Sequence, residues 1–434
     1  NIYQRYADVM ILLQPQSILI IAGLVLLVGI VAGLYPAFVL SSFKPIMVLK
    51  GSFKNSTSGI RLRKALVIVQ FTISIALMVG TGIVYQQMRF IYSADMGYSR
   101  EQLISVQQNG EAVSKATTLK TELLRNDNIV AAGTSSTRIG QQLGRTVIFP
   151  EGSTAETNII TSIMAADENF IPTMNMKIVE GRNFSLDFDD SLSMIINEEM
   201  VRLLKWDEAV GKKISIQTGA NPNDLTAYTV IGIVKDFHFA TVRHKLEPMF
   251  MLYNKDNGAL SIKIKAENMK EALAYVEETW KRVNPGTTFE YAFLDEQFAT
   301  LYQNEQAFAN MFTHFTILAL TIAGLGLFAL SAFTAEQRKK EIGIRKVLGA
   351  SNGAIFYKLS FEFITLILIS FVFASVAAYF VMEKWLQDFQ YSIKIGIGVF
   401  MIAGGASLMI ALITISFQSL KAAWSNPAES LRSE

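Results

Sequence analysis

The chain has 434 residues, 51% of them hydrophobic and only 18% charged, and its mean hydropathy is +0.31. A soluble protein carries about 25% charged residues, so the composition argues against a purely soluble enzyme. The net charge is +2, cysteine is absent and there are three histidines, which excludes disulfides, thiolate metal sites, iron–sulfur clusters and cysteine nucleophiles and leaves little room for a histidine-based metal cluster.

Five runs hold no Asp, Glu, Lys or Arg: residues 9–43, 65–88, 306–335, 363–382 and 395–420. Each reaches the roughly 20 residues that an apolar helix needs to cross a bilayer at about 1.5 Å per residue. They predict five spans, at 17–43, 65–90, 306–334, 352–382 and 395–420, with 1–16 as an outer loop. Gly29 and Gly33 in the first span, and Gly80 and Gly82 in the second, are small-residue patches suited to close helix contact. Between these two spans, residues 44–64 carry Lys44, Lys50, Lys54, Arg61, Arg63 and Lys64 and no acid, a basic loop.

Residues 91–305 read as an α+β domain of ordinary polarity, large enough for two lobes. Runs rich in Val, Ile, Tyr and Phe, punctuated by Gly, Asn, Asp and Pro, predict strands at 103–107, 129–135, 146–149, 158–165, 213–217, 229–235, 250–253 and 260–265. Helices are expected over 115–125 and 269–282, the latter with Leu273, Val276 and Trp280 on one stripe and Asn284-Pro285-Gly286 as its stop. Residues 295–305 read as helix running straight into the third span near Gln306 without a Gly/Ser linker, a stiff connection that can transmit displacement.

The segment after the third span is Glu336, Gln337, Arg338, Lys339, Lys340, Glu341, Ile342, Gly343, Ile344, Arg345, Lys346, Val347, Leu348, Gly349, Ala350 and Ser351. It is too polar to cross a bilayer and too patterned for coil. Glu341 and Arg345 form an i,i+4 pair in the favourable order, and Ile344 and Leu348 line another face. Gly349 is placed as a C-terminal cap, and Ser351 or Asn352 as the N-cap of the next helix. A short helix along the cytoplasmic surface over 335–351 follows. Binding to anionic lipid and docking of a cytosolic partner both fit it. At the inner end of the fourth span Lys358 and Glu362 stand four apart, as a self-neutralising pair. An outer loop at 383–394, the last span and a tail at 421–434 complete the chain.

Basic loops stay in the cytoplasm, and alternating spans put 44–64 and 335–351 on that side, leaving 91–305 outside. The near-neutral total conceals this: 91–305 carries 21 basic and 29 acidic residues (−8) and the rest 18 and 8 (+10). Pro45 and Pro427 each close a span and are followed four residues later by Leu and then a base. With the start at Asn1, this reads as the tail of one repeat followed by a complete second. No phosphate-binding loop, serine elbow or His-Glu-x-x-His motif is present. His238 and His244 read as turn and surface residues, and His314 as a donor or acceptor to a neighbouring helix. Nothing here makes a case for catalysis.

Residues 336–351 closely resemble the signature of FtsX-like, MacB-like ABC transporter permeases. Residues 35–45, 234–239, 293–296 and 426–432 are similar to stretches of the duplicated eight-span permeases common in Bacteroidetes-like bacteria. Ser375, where relatives often have Pro, and Ser392, where a base is usual, depart from that pattern. The resemblance implies an α-helical membrane protein of five spans with an inserted α+β MacB-like extracytoplasmic domain, comprising the last span of a first half and all of a second. It makes Glu336–Ser351 the coupling helix for a cytosolic ABC ATPase subunit with a MacB/LolD-like nucleotide-binding domain. ATP and magnesium then belong to that partner, and this chain binds no cofactor and is not itself an enzyme. The implied work is mechanotransmission in the bacterial inner membrane, with the large domain in the periplasm, for efflux of antimicrobial peptides, drugs or other envelope substrates. The alternatives are an FtsX-like relay to an envelope hydrolase or sensor, and a lipoprotein-releasing permease. Further implied partners are membrane lipid, a periplasmic adaptor or substrate, and a missing N-terminal half or second permease copy. Nucleic acid is not among them.

Overall fold

The computed structural model describes residues 14–41, 57–152, 159–218, 224–239 and 245–424. The repeat signals around Pro45 and Pro427, the loop residues 44–56 and His244 lie outside them. The chain divides into two compact units, residues 1–67 and 68–434.

The first unit holds α1, Pro15–Ser41, a 27-residue helix with Pro at its first position and no charged residue. Gly29 and Gly33 lie on it. Helix α2, Thr57–Ser93, begins inside the stretch expected as a basic loop, since nothing between Thr57 and Lys64 except Gly59 opposes a helix leading into the apolar run.

The ectodomain follows in the second unit, with β1 Leu103–Gln107, α3 Glu111–Ser114, α4 Ala116–Leu123, β2 Ile129–Ser135, β3 Gly144–Pro150, β4 Ile159–Ala166, α5 Phe170–Thr173, β5 Ile178–Gly181, β6 Ser193–Asn197, α6 Glu198–Leu204, β7 Lys213–Gln217, β8 Leu225–Val234, β9 Met249–Tyr253, β10 Ala259–Ile264, α7 Met269–Val283 and β11 Tyr291–Phe293. After it come α8 Leu294–Leu301, α9 Gln303–Gln337, α10 Lys339–Val347, α11 Asn352–Leu386 and α12 Ile397–Trp424. The β-prone runs named from sequence all form strands. β5, β6 and β11 are additional to them.

The strands make two lobes. In the first, β11-β1-β10-β2 form an antiparallel sheet whose register sets Leu103 against Lys263 and Ser135 against Ala259. Helices α4 and α7 cover one face, enclosing Ile104, Val106, Leu119, Leu123, Leu260, Ile262, Val276 and Trp280. The predicted stripe on α7 is the buried one, with Leu273 packed at its edge, and each such side chain contributes roughly 1.5–3 kcal/mol by leaving water. In the second lobe six strands close into a ring. The order runs β4-β3-β7-β8-β6-β9, and β9 returns to β4 in parallel, Ser162 opposite Met249 through Ala166 opposite Tyr253. The ring encloses Ile148, Met194, Ile196, Ile214, Val230 and Phe250. Asn197 caps α6, its Oδ1 accepting from the Met200 N–H at 3.0 Å. The two lobes share one pairing, Ser135 opposite Ala166.

Among the described residues four helices are long and apolar enough to cross a membrane, lying in α2, α9, α11 and α12, and α1 contributes a shorter apolar stretch, Pro15–Ile30. From Ile68 onward α2 is the hub. A Cβ at Gly82 would lie 2.5 Å from Val399 on α12, and one at Gly80 2.9 Å from Phe312 on α9, so these two glycines do mark close helix contact. Thr81 and Thr316 share a hydrogen bond of 2.8 Å, and Ser370 of α11 donates to the Ile68 carbonyl at 3.0 Å. α12 also packs against α9 and α11.

Three sequence expectations change. The helix expected over 295–305 is broken at Tyr302 (φ −114°, ψ 18°), giving α8 and α9; the Tyr302 side chain is fully buried at that break. His314 makes its hydrogen bond within its own helix, to the Asn310 carbonyl at 2.6 Å. Lys358 and Glu362 are each engaged from outside α11, Lys358 by Glu341 at 3.1 Å and Glu362 by Arg338 at 2.9 Å.

Candidate functional site

The predicted site residues fall on four elements. Glu336 lies in the last turn of α9, which ends at Gln337, and Arg338 sits in the break after it (φ −97°, ψ 13°). Lys339, Lys340, Glu341, Ile342, Gly343, Ile344, Arg345 and Lys346 lie on α10, and Leu348, Gly349, Ala350 and Ser351 form the turn into α11. The turn is built as its residues predict. Gly349 has φ +90°, its N–H donates to the Lys346 carbonyl at 3.0 Å, and the Ala350 N–H donates to the Arg345 carbonyl at 2.9 Å, the paired bonds of a Schellman motif. The Ser351 hydroxyl then accepts from the Ala354 N–H at 3.2 Å, capping α11.

One face of α10 is fastened to α11. Ile342 packs on Ile355 and Ala350. Glu341 accepts from Arg345 at 3.1 Å and from Lys358 at 3.1 Å, and those cations, Lys358 first, hold its carboxyl below the usual carboxylate range. Arg338 reaches Glu362 at 2.9 Å. A cavity of about 50 Å³ remains between Arg338, Glu341, Ile342 and Ile355. The other face is apolar and bare: Ile344 is 52% exposed, Val347 67% and Leu348 80%. Val347, unremarked by the sequence pattern, completes this row.

α9 carries the position of α10 outward over 35 residues, roughly 50 Å at 1.5 Å per residue. At its outer end Tyr302 meets Tyr92 of α2 and Phe298 of α8, with ring centroids 6.3 and 5.0 Å away. Arg100 lies 4.3 Å over the Phe298 ring and donates to the Tyr92 carbonyl at 2.8 Å. The Tyr92 hydroxyl donates to Gln306 at 3.1 Å. α8 leads back into β11, which pairs with β1, so a continuous path of packed side chains and hydrogen bonds joins α10 to the first lobe.

The second lobe carries a cavity of about 440 Å³ lined by Arg145, Ser162, His238, Phe239, Glu247 and Met249 among others. Glu247 is held there by Arg145 at 2.9 Å and the Ser162 hydroxyl at 2.7 Å. No group of three or more His, Asp or Glu side chains able to hold a metal ion occurs among the described residues.

Residues 314–427 match the model of the FtsX-like permease C-terminal family, and residues 65–277 that of the MacB-like periplasmic core domain. The chain is an FtsX/MacB-like ABC permease. The permease is 22% identical over 293 residues to the macrolide export ATP-binding/permease protein MacB of Chromobacterium violaceum. That alignment covers 64% of this chain but only 44% of the relative, so the chain spans less than half the relative's length. Among solved structures, the periplasmic region of MacB from Actinobacillus actinomycetemcomitans is 13% identical with a TM-score of 0.34, covering 47% of this chain and 94% of that one. The extracellular domain of the ABC-type transporter YknZ from Gram-positive bacteria is 13% identical with a TM-score of 0.31, covering 44% and 97%. Membership rests on the two family matches. They make the permease a membrane protein whose strand-rich domain is of the periplasmic MacB-like kind.

Proposed function

We propose that the permease couples ATP hydrolysis by a separate cytosolic ABC ATPase to movement of its periplasmic domain. The observation that carries this reading is the bare row Ile344, Val347 and Leu348 on a helix clamped from behind by two ion pairs to α11, Arg338–Glu362 and Lys358–Glu341. A rigidly held apolar row at the inner end of a long helix suits a groove on a protein partner. Glu336–Ser351 is then the coupling helix. ATP and magnesium reside on the ATPase, and this chain supplies no catalytic group.

In this reading α1 is a fifth span. The basic residues of 44–64 and 335–351 then face the cytoplasm of a cell whose inner membrane holds the chain. Closure of the ATPase displaces α10, α9 carries the displacement, and the α8–β11 junction passes it to the ectodomain. The work done outside is efflux of envelope substrates such as antimicrobial peptides or drugs, in keeping with the export activity for which the Chromobacterium relative is named. A hydrolase or sensor bound to the ectodomain instead of exported cargo would favour an FtsX-like relay, and bound lipoprotein a lipoprotein-releasing role.

The test is co-purification of the full permease with its cognate ATPase. Replacing Val347 and Leu348 with Glu removes the apolar row without touching Ile342 or the ion pairs. Binding should fall by about ten-fold or more, since two buried apolar contacts of this size are worth over 1.4 kcal/mol. Undiminished binding and turnover in that variant would reject the docking assignment.

A further inference from the structure

Gln87 is fully buried near the outer end of α2, on the face where Val84, Met88 and Ile91 are buried too. Both ends of its amide are used. Nε2 donates to the Tyr391 carbonyl at 3.0 Å, and Oε1 accepts from the Ile393 N–H at 2.9 Å. Both partners are main-chain groups of the outer loop, residues 387–396, that joins α11 to α12. A buried amide without partners is costly, and so are the main-chain groups it would leave unpaired. The loop and Gln87 therefore hold each other in place.

The same loop touches the ectodomain. The Tyr391 ring meets the His238 ring edge-on, with centroids 5.2 Å apart and planes at 88°. His238 is itself fixed, its N–H donating to the Met96 carbonyl at 2.9 Å just beyond the end of α2. Its neighbour Phe237 is seated against Gly97, where an added Cβ would lie 2.7 Å from the Phe237 side chain. Three parts of the chain far apart in sequence thus converge on one point: the outer end of α2, the strand exit at 235–239 and the loop between the last two helices.

We infer that Gln87 is a positioning residue that seats the 387–396 loop and, through Tyr391 and His238, ties α11 and α12 to the second lobe of the ectodomain. The inference rests on the reading that membrane movement reaches the ectodomain, and adds a second joint beside the one at Tyr302. The two joints address different lobes: Tyr302 leads to β11 of the first, and His238 follows β8 of the second.

The chain contains no cysteine, so Leu203→Cys on α6 and Asp388→Cys in the loop can be spin-labelled alone, in the full permease in lipid nanodiscs without any ATPase. Gln87→Met keeps the side-chain length and removes both hydrogen bonds. It should widen the distance distribution between the labels about two-fold or more and speed amide exchange across 389–396 by about ten-fold or more. Gln86→Met, on the exposed neighbour, should do neither. Gln87→Glu, whose protonated carboxyl donates and accepts as the amide does, should stay close to wild type. Tyr391→Ala should widen the distances yet leave the loop amides slow, because Gln87 grips main-chain atoms. Distances unchanged in Gln87→Met or in Tyr391→Ala, or equally widened in Gln86→Met, would overturn the inference. A failure of the ATPase to bind α10 would reject the proposed function and leave these distances as they are, so the two failures are distinguishable.

Discussion

Lys120 and Asp167 form an ion pair of 2.5 Å in which both side chains are withdrawn from solvent. Lys120 belongs to α4 in the first lobe, and Asp167 follows β4 of the second, next to the single strand pairing that joins the lobes. Thr134 donates to the same carboxylate oxygen at 3.0 Å, and Asn257 donates to Thr134 at 3.1 Å. The pair is therefore a fully coordinated bolt across the lobe junction. Lys120→Met strands a buried carboxylate, which costs about 3–5 kcal/mol when a buried pair is broken from one side. In calorimetry of the full permease the ectodomain transition should fall on the order of 10 °C, and the double variant with Asp167→Leu should recover much of the loss. Equal losses in the single and double variants would refute the bolt.

Gly97 has φ +80°, and a Cβ there would lie 2.5 Å from the Asp236 carbonyl oxygen and 2.9 Å from the Phe237 Cα. Both obstacles are main chain and cannot swing aside. Gly97→Ala should cost about 1–2 kcal/mol for the left-handed backbone alone, and more for the displaced 236–239 segment. The amide of His238, bonded to Met96, should exchange faster by at least about ten-fold, while β1 and β10 amides remain as slow as in wild type.

His238 titrates below the ordinary histidine range because burial disfavours its charged form, against the pull of Asp236 and Asp95. Those acids are themselves engaged, Asp236 by Arg202 and Asp95 by Lys235, and Lys245 and Glu247 line the same cavity. The folded form thus binds fewer protons at this site than the unfolded chain. Its stabilisation is fully present above the unfolded value, about 6.5, and is lost as pH falls through that value toward the lower folded one. Segment 235–239 should loosen between about pH 7 and pH 5 by amide exchange. His238→Phe, which keeps a ring against Tyr391, should flatten that profile, and an unchanged acid profile would assign the effect elsewhere.

Local pattern alone carried much of the fold. The β-prone runs 103–107 and 213–217 marked strands to the residue. β6 escaped because its run, Ser193–Asn197, holds only three apolar residues, Met194, Ile195 and Ile196, between polar ones, too few to show a period. β5 and β11, at four and three residues, are too short to show a period. The caps around α10 were readable in Gly349 and Ser351, since a left-handed turn and a side-chain cap need particular residue types. The Glu341–Arg345 pair was readable from its i,i+4 spacing, whereas the pairs that cross the turn were not. Glu362 lies four residues from Lys358 yet also receives Arg338 from across the turn, because the fold brings the end of α9 alongside α11. Gln87 had a faint signal, as one of three amides in the apolar run 65–88, but nothing in its neighbourhood named a loop some three hundred residues away.

The sequence by itself determined what is set by spacing along one segment: the apolar lengths, the clustering of basic residues between them, most of the strand runs, the caps of the short helix and its family signature. The tertiary structure alone decided what depends on two segments meeting. It closed six strands into a ring, broke the helix at Tyr302 where that side chain is buried, bolted Lys120 to Asp167, and set Gln87 under the outer loop. The physical reason is that periodicity and capping are satisfied within a few residues, whereas a buried polar group accepts whichever partner the packing delivers.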